Sequence, residues 1–126
     1  MIRTFTVEVT RVDEYKVEID DSIINEEWMA YFENYFWKLD NDLKKVAAAI
    51  TNFQARFGDG DGFIEGFGYV KRDGKLPFSS ADLDENGEWL PEEEQREPNQ
   101  GLNIIIVNED NDIEIDVTEI TSNGQT

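Results

Sequence analysis

Trp28, Phe32, Tyr35, Leu39, Leu43, Val46, Ile50, Phe53 and Phe57 recur at spacings of four and three residues. That is the period of one helix face and cannot be the period of a strand. On either side of it the period drops to two. Phe5, Val7 and Val9 alternate with Thr4, Thr6, Glu8 and Thr10, and Tyr15, Val17 and Ile19 alternate with Lys16, Glu18 and Asp20. Leu102 to Val107 and then Ile113, Ile115 and Val117 repeat the pattern near the other end, with Glu114 and Asp116 outward. A chain that changes period in this way must lay helix on sheet to bury both stripes. The expected fold is therefore α+β: an antiparallel β-sheet of N- and C-terminal hairpins with a helical layer, one kinked or two short helices, on one face.

Local signals refine this. Asn25 followed by Glu26 and Glu27 reads as a helix N-cap with an acidic first turn, and Gly58 and Gly60 as the stop. Asp40-Asn41-Asp42 interrupts the stripe and could cap a second helix. The segment from Trp28 to Trp37 is mostly apolar or aromatic, so its belt exceeds one face and must be covered on two sides. Later loops or a homodimer contact could do this, with Met29, Phe36 and Trp37 placed off the main stripe. Gly62 to Tyr69 mixes glycine with aromatics, which predicts a strand with close backbone approach or a bulge. Asp73-Gly74 predicts a tight turn. Val12 to Glu14 and Asn108 to Asn111 are the expected hairpin turns. Residues 79–100 read as one long acidic loop, and 121–126 as a frayed end. With 126 residues and fifteen aromatics, a single domain spanning 1–126 can bury its own core.

The distribution of charge is the main functional clue. The net charge is −18. From Leu76 onward there are fourteen acids and one base, Arg96, a net of −13, whereas the first 75 residues carry fifteen acids and ten bases. Proteins usually intersperse the two signs, because one-sign crowding repels itself. Such a charge disfavours direct binding to nucleic acid or to anionic membrane. There is no cysteine and no histidine, which removes disulfides, thiolate metal sites and the usual general base near neutral pH. No apolar run approaches the ~20 residues of a membrane span, and Met1 to Thr10 lacks the apolar block of a signal peptide. The expectation is a cytoplasmic protein. No catalytic motif is present, and an enzyme is the least favoured class.

Three constellations remain. The first is an acidic surface for a basic protein partner: Asp82, Asp84, Glu85, Glu88, Glu92, Glu93, Glu94 and Glu97 in the loop, with Glu109, Asp110, Asp112, Glu114 and Asp116 at the last hairpin. Alternate carboxylates on a strand stand ~6.6 Å apart, close to two ~3.4 Å steps between phosphates of one DNA strand. In size and charge the chain resembles the small acidic decoys made by phages, plasmids and other mobile elements. That resemblance implies a non-enzymatic, DNA-mimic-like inhibitor of a nuclease, restriction enzyme or CRISPR effector. An immunity protein against a basic toxin nuclease would use the same steering. The bland alternative is a solvated acidic surface, including halophilic adaptation.

The second constellation is Asp82, Asp84, Asn86, Gly87 and Glu93, which match the D-x-[DN]-x-[DN]-G-x5-E spacing of a calcium loop. Trp89 and Pro91 interrupt that pattern, and the plain alternative is an Asn-Gly turn with solvated acids. The third is Trp89-Leu90-Pro91, an apolar island among acids. It is either an interface anchor ringed by charge or a pin that folds back onto the core.

Overall fold

The structure, a computed structural model, describes residues 1–109 and 114–120. The chain divides into two compact units, one of Met1–Glu14 with Asn108–Thr126 and one of Tyr15–Val107. Strands β1 (Thr4–Thr10) and β2 (Glu14–Ile19) are followed by helices α1 (Glu26–Glu33) and α2 (Leu43–Phe57). Strands β3 (Phe63–Ile64), β4 (Gly68–Arg72), β5 (Pro98–Asn108) and β6 (Glu114–Ile120) complete the order. The class is α+β with a helical layer, and no helix among the described residues is long and apolar enough to cross a membrane.

The strand partners differ from the expected hairpins. β1 pairs with β6 in a two-stranded antiparallel sheet, with Thr4 opposite Ile120, Val7 opposite Val117 and Thr10 opposite Glu114. β2 lies instead in a four-stranded sheet of order β2-β5-β4-β3. Among the described residues β1 and β2 lie in different sheets, as do β5 and β6. Adjacent alternating segments predict two strands but not their partners, because any strand with a matching register competes for the same edge. β4 and β5 run parallel, with Lys71 opposite Asn103 and Arg72 opposite Ile104. A parallel pair needs a crossover of a dozen residues or more, and residues 73–97 supply it.

The core belongs to the larger unit. Ile24, Met29, Phe32, Leu39, Val46, Ile50, Ile64, Phe67, Val70, Leu102 and Ile104 are all buried, with Tyr15, Val17 and Ile19 of β2 packed against them. The helical stripe resolves into two helices. Asn25 caps α1 by accepting from the Trp28 N–H at 2.9 Å, and Asp42 caps α2 by accepting from the Lys44 N–H at 2.9 Å. Between them, Asp40 and Asn41 both take positive φ, a conformation these two residue types tolerate better than most. The Glu33 carboxylate holds that connection by accepting from the Leu39 and Asp40 N–H groups at 2.7 and 2.9 Å. α2 buries Val46, Ile50 and Gln54, four residues apart, and ends at Gly58 with φ 71°.

Met29, expected off the main stripe, lies in the core, while Phe36 and Trp37, also expected off it and covered from a second side, are exposed. Tyr35 and Phe57, expected on the stripe, are also exposed. Gly66 shows why the glycine–aromatic segment needs glycine. A Cβ there would sit 2.5 Å from the Phe32 ring, so Phe32 packs directly on backbone. Asp73 and Gly74 form the expected tight turn, both at positive φ, with Arg72 and Lys75 exchanging N–H···O bonds of 2.8 and 3.2 Å. The last hairpin's turn at Asn108 to Asn111 and the frayed end at 121–126 fall wholly or partly outside the described residues.

A buried polar network holds the glycine loop after α2. Arg72 is 5% exposed and donates to Gln54 Oε1 at 2.8 Å and to the carbonyls of Gly62 and Val70 at 2.8 and 2.6 Å. Gln54, fully buried, donates in turn to Asp59 Oδ1 at 2.7 Å. Buried polar groups persist only when bonded in this way.

Candidate functional site: an acidic loop around an exposed tryptophan

The loop between β4 and β5 is closed by Arg96, the one base from Leu76 onward. Ser79 caps a 3-10 turn over Ser80–Asp82, and this turn carries the Asp82 side chain inward to 5% exposure. Arg96 meets it there. Its Nε and Nη2 donate to Asp82 Oδ2 at 3.0 and 2.7 Å, and its backbone N–H donates to Oδ1 at 2.8 Å. Nη2 also donates to the Pro77 carbonyl at 2.7 Å, and Nη1 donates to the carbonyl of Asp61. The guanidinium hydrogen bonds, reinforced by the backbone N–H, hold the Asp82 carboxyl below its ordinary pKa. Residues fourteen apart in sequence are thus stapled together, and the segment between them becomes an ordered excursion.

Within that excursion Asp84 organises a tight turn. Its Oδ1 accepts from the Asn86 and Glu88 N–H groups at 2.8 and 3.0 Å, and Gly87 takes φ 79°. Leu83 and Trp89 bridge across the base of the turn. An Asn-Gly turn is thus formed at Asn86-Gly87. The calcium expectation needed Asp82, Asp84, Asn86 and Glu93 around one ion, but Asp82 faces Arg96 with both oxygens engaged. Among the described residues no group of three or more acids is placed to hold a metal ion.

Pro91 opens a second 3-10 turn, Glu92–Glu94, all three of whose side chains are exposed. Gln95 donates to the Leu90 carbonyl at 2.8 Å and ties that turn back. Trp89 does not fold onto the core, which corrects one of the two readings offered for it. It is 62% exposed and meets Phe78, itself 67% exposed, edge to face with centroids 6.0 Å apart. The two rings, with Glu92, Glu93, Glu97 and Lys75, line an open cleft of about 850 Å³.

Of the loop acids, then, Asp82 and Asp84 serve the fold. Glu85, Glu88, Glu92, Glu93, Glu94 and Glu97 are exposed and make no ion pair among the described residues. Sequence reasoning counted Arg96 without giving it a role. Its isolation among fourteen acids was the available signal, since a lone base in such a segment has every reason to be captured. Phe78 was missed because a single aromatic in a polar stretch has no periodicity.

The smaller unit carries its acids differently. The β1–β6 register places Glu8 opposite Asp116 and Thr10 opposite Glu114. Thr4, Thr6 and Thr118 share their face by alternation. Glu18 and Asp20, the polar positions that alternate with Tyr15, Val17 and Ile19, belong to the larger unit, where Glu18 accepts from Asn103 Nδ2 at 2.7 Å and Asp20 accepts from Ser22. Glu109 approaches Arg11 at 3.8 Å, and Glu119 is bound by Arg3 Nε and Nη2 at 2.7 and 2.9 Å. Asp110 and Asp112 lie outside the described residues. Comparison with protein-family models, with curated proteins and with solved structures finds no match to this chain.

Proposed function

We propose that the protein is a non-enzymatic acidic binder whose loop, residues 79–97, docks on the basic nucleic-acid-binding surface of a partner protein. In this reading it acts as a DNA-mimic-like decoy. The observation that carries the reading is the capture of Arg96 by Asp82. It leaves six exposed glutamates with no counter-charge of their own segment, and Glu92, Glu93 and Glu97 share a cleft with the exposed Trp89. A solvated surface gains nothing from presenting a large aromatic beside so many carboxylates. Interfaces, by contrast, are commonly built as an aromatic anchor inside a polar rim. Unpaired carboxylates raise the association rate with a basic surface, and Trp89 with Phe78 supplies apolar area and a ring face for an arginine or lysine.

The test is capture from a nuclease-treated extract of the native host at low salt, using the wild type and a Glu92→Gln/Glu93→Gln/Glu94→Gln/Glu97→Gln variant side by side. The expected result is a basic protein retained by the wild type, released by salt and lost from the variant. Equal retention by both, or retention unchanged by salt, would show that the loop is not the docking surface.

A further inference from the structure

The two-stranded β1–β6 ribbon has one bare apolar face, and we infer that a second copy of this chain covers it. Alternation places Phe5, Val7 and Val9 of β1 on the same side as Ile115 and Val117 of β6, with Val7 directly opposite Val117 and Val9 opposite Ile115. These five side chains are 48–61% exposed, and every position of both strands is exposed. Among the described residues each strand pairs only with the other. A two-stranded ribbon is marginal in water by itself and needs a further layer on its apolar face. Two contiguous apolar cross-strand pairs, extended by Phe5 opposite Glu119, are not the scattered singles that surfaces normally carry.

Charge selects the occupant. Glu8, Glu114 and Asp116 fall on the reverse face, so a basic partner would be drawn there. The apolar face is bounded at one end by Arg3 and Glu119, which neutralise each other through two hydrogen bonds, with the Arg3 guanidinium 5.5 Å from the Phe5 ring. Two copies can therefore meet apolar face to apolar face without bringing net charge of one sign together, and their acids stay in water. Contact through the reverse face would instead set Glu8, Glu114 and Asp116 against the same acids of the other copy. Face-to-face stacking of two ribbons gives a small two-layer sandwich with the same patch on both sides, the arrangement of a two-fold dimer. This inference stands apart from the loop's proposed role.

The absence of cysteine from the chain makes the test direct. Val117→Cys places a thiol on the apolar face and Thr118→Cys places one on the reverse face, each without a large change in size. Under mild oxidation the full-length Val117→Cys protein should give disulfide-linked dimers at least tenfold faster than Thr118→Cys. Sedimentation of the wild type should show the 14.6 kDa chain passing to a dimer as concentration rises. A Val7→Thr/Val117→Thr variant, which keeps good strand formers, should weaken that dimer more than tenfold. Added salt should leave the wild-type dimer intact, in contrast to any capture made by the acidic loop. A wild type that stays monomeric at every concentration, or thiols on the two faces that cross-link at equal rates, would overturn the inference and assign the face to another molecule.

Discussion

β1 and β2 read almost alike, each with three apolar residues alternating with polar ones, yet they meet opposite fates. Tyr15, Val17 and Ile19 of β2 pack on the core of the larger unit, which carries both helices and four strands. Phe5, Val7 and Val9 of β1 remain about half exposed in a ribbon of two strands. The difference lies in what faces each strand. Alternation says that one face wants burial, and only the rest of the molecule can say whether a partner layer is present. Stability should accordingly reside in the larger unit, while the ribbon's apolar face and the loop's glutamates stay exposed.

Matched substitutions should expose this division, the largest effects falling in the larger unit. Ile50→Ala removes a fully buried side chain and should cost about 2–5 kcal/mol, read by chemical denaturation. Gly66→Ala drives a methyl against the Phe32 ring at a residue with φ 88°, and should cost about 1–3 kcal/mol through overpacking plus backbone strain. Asn25→Ala removes the α1 cap and should cost about 1 kcal/mol. Val117→Ala, on the ribbon's exposed face, should shift the monomer's stability by no more than about 0.5 kcal/mol. A Val117→Ala effect as large as that of Ile50→Ala would erase the contrast.

The two arginine–carboxylate pairs give a second comparison. Arg96–Asp82 has side chains 6% exposed on both sides, while Arg3–Glu119 stands at 65% and 41%. Arginine hydrogen bonds lower both acids' pKa in the folded state. Each pair's contribution is therefore fully present above the unfolded carboxylate value of about 4, and is lost as pH falls through the lower folded value. Asp82→Asn should depress the melting temperature at neutral pH and flatten its fall in acid. Glu119→Gln should change both far less, because water screens an exposed pair. Equal responses in a melting series against pH would show that Asp82 is no staple.

Much of the framework was legible before any coordinates. The change from period two to period 3.6, the Asn25 and Asp42 caps, the stop at Gly58 and the Asp73-Gly74 turn are local features, fixed by residues within a few positions of each other. What the sequence did not disclose was long-range. The pairing of β1 with β6, the parallel β4–β5 pair and the Gln54–Arg72 network each depend on which of several compatible partners wins. The candidate site divides the same way. Its glutamates were plain as a run of charge, but the sorting into fold-serving Asp82 and Asp84 and six unpaired glutamates depends on Arg96 reaching back fourteen residues. Trp89 carried two readings, and its meeting with Phe78 outside the core removes the one that pinned it to the core.

The most direct test of the decoy reading is a displacement titration with the captured basic protein bound to a labelled DNA duplex. The wild type should release the duplex near one equivalent, less effectively as salt rises, while the four-glutamine loop variant should need more than tenfold as much. A duplex that stays bound at saturating wild type, or a loop variant that displaces it equally well, would contradict the account.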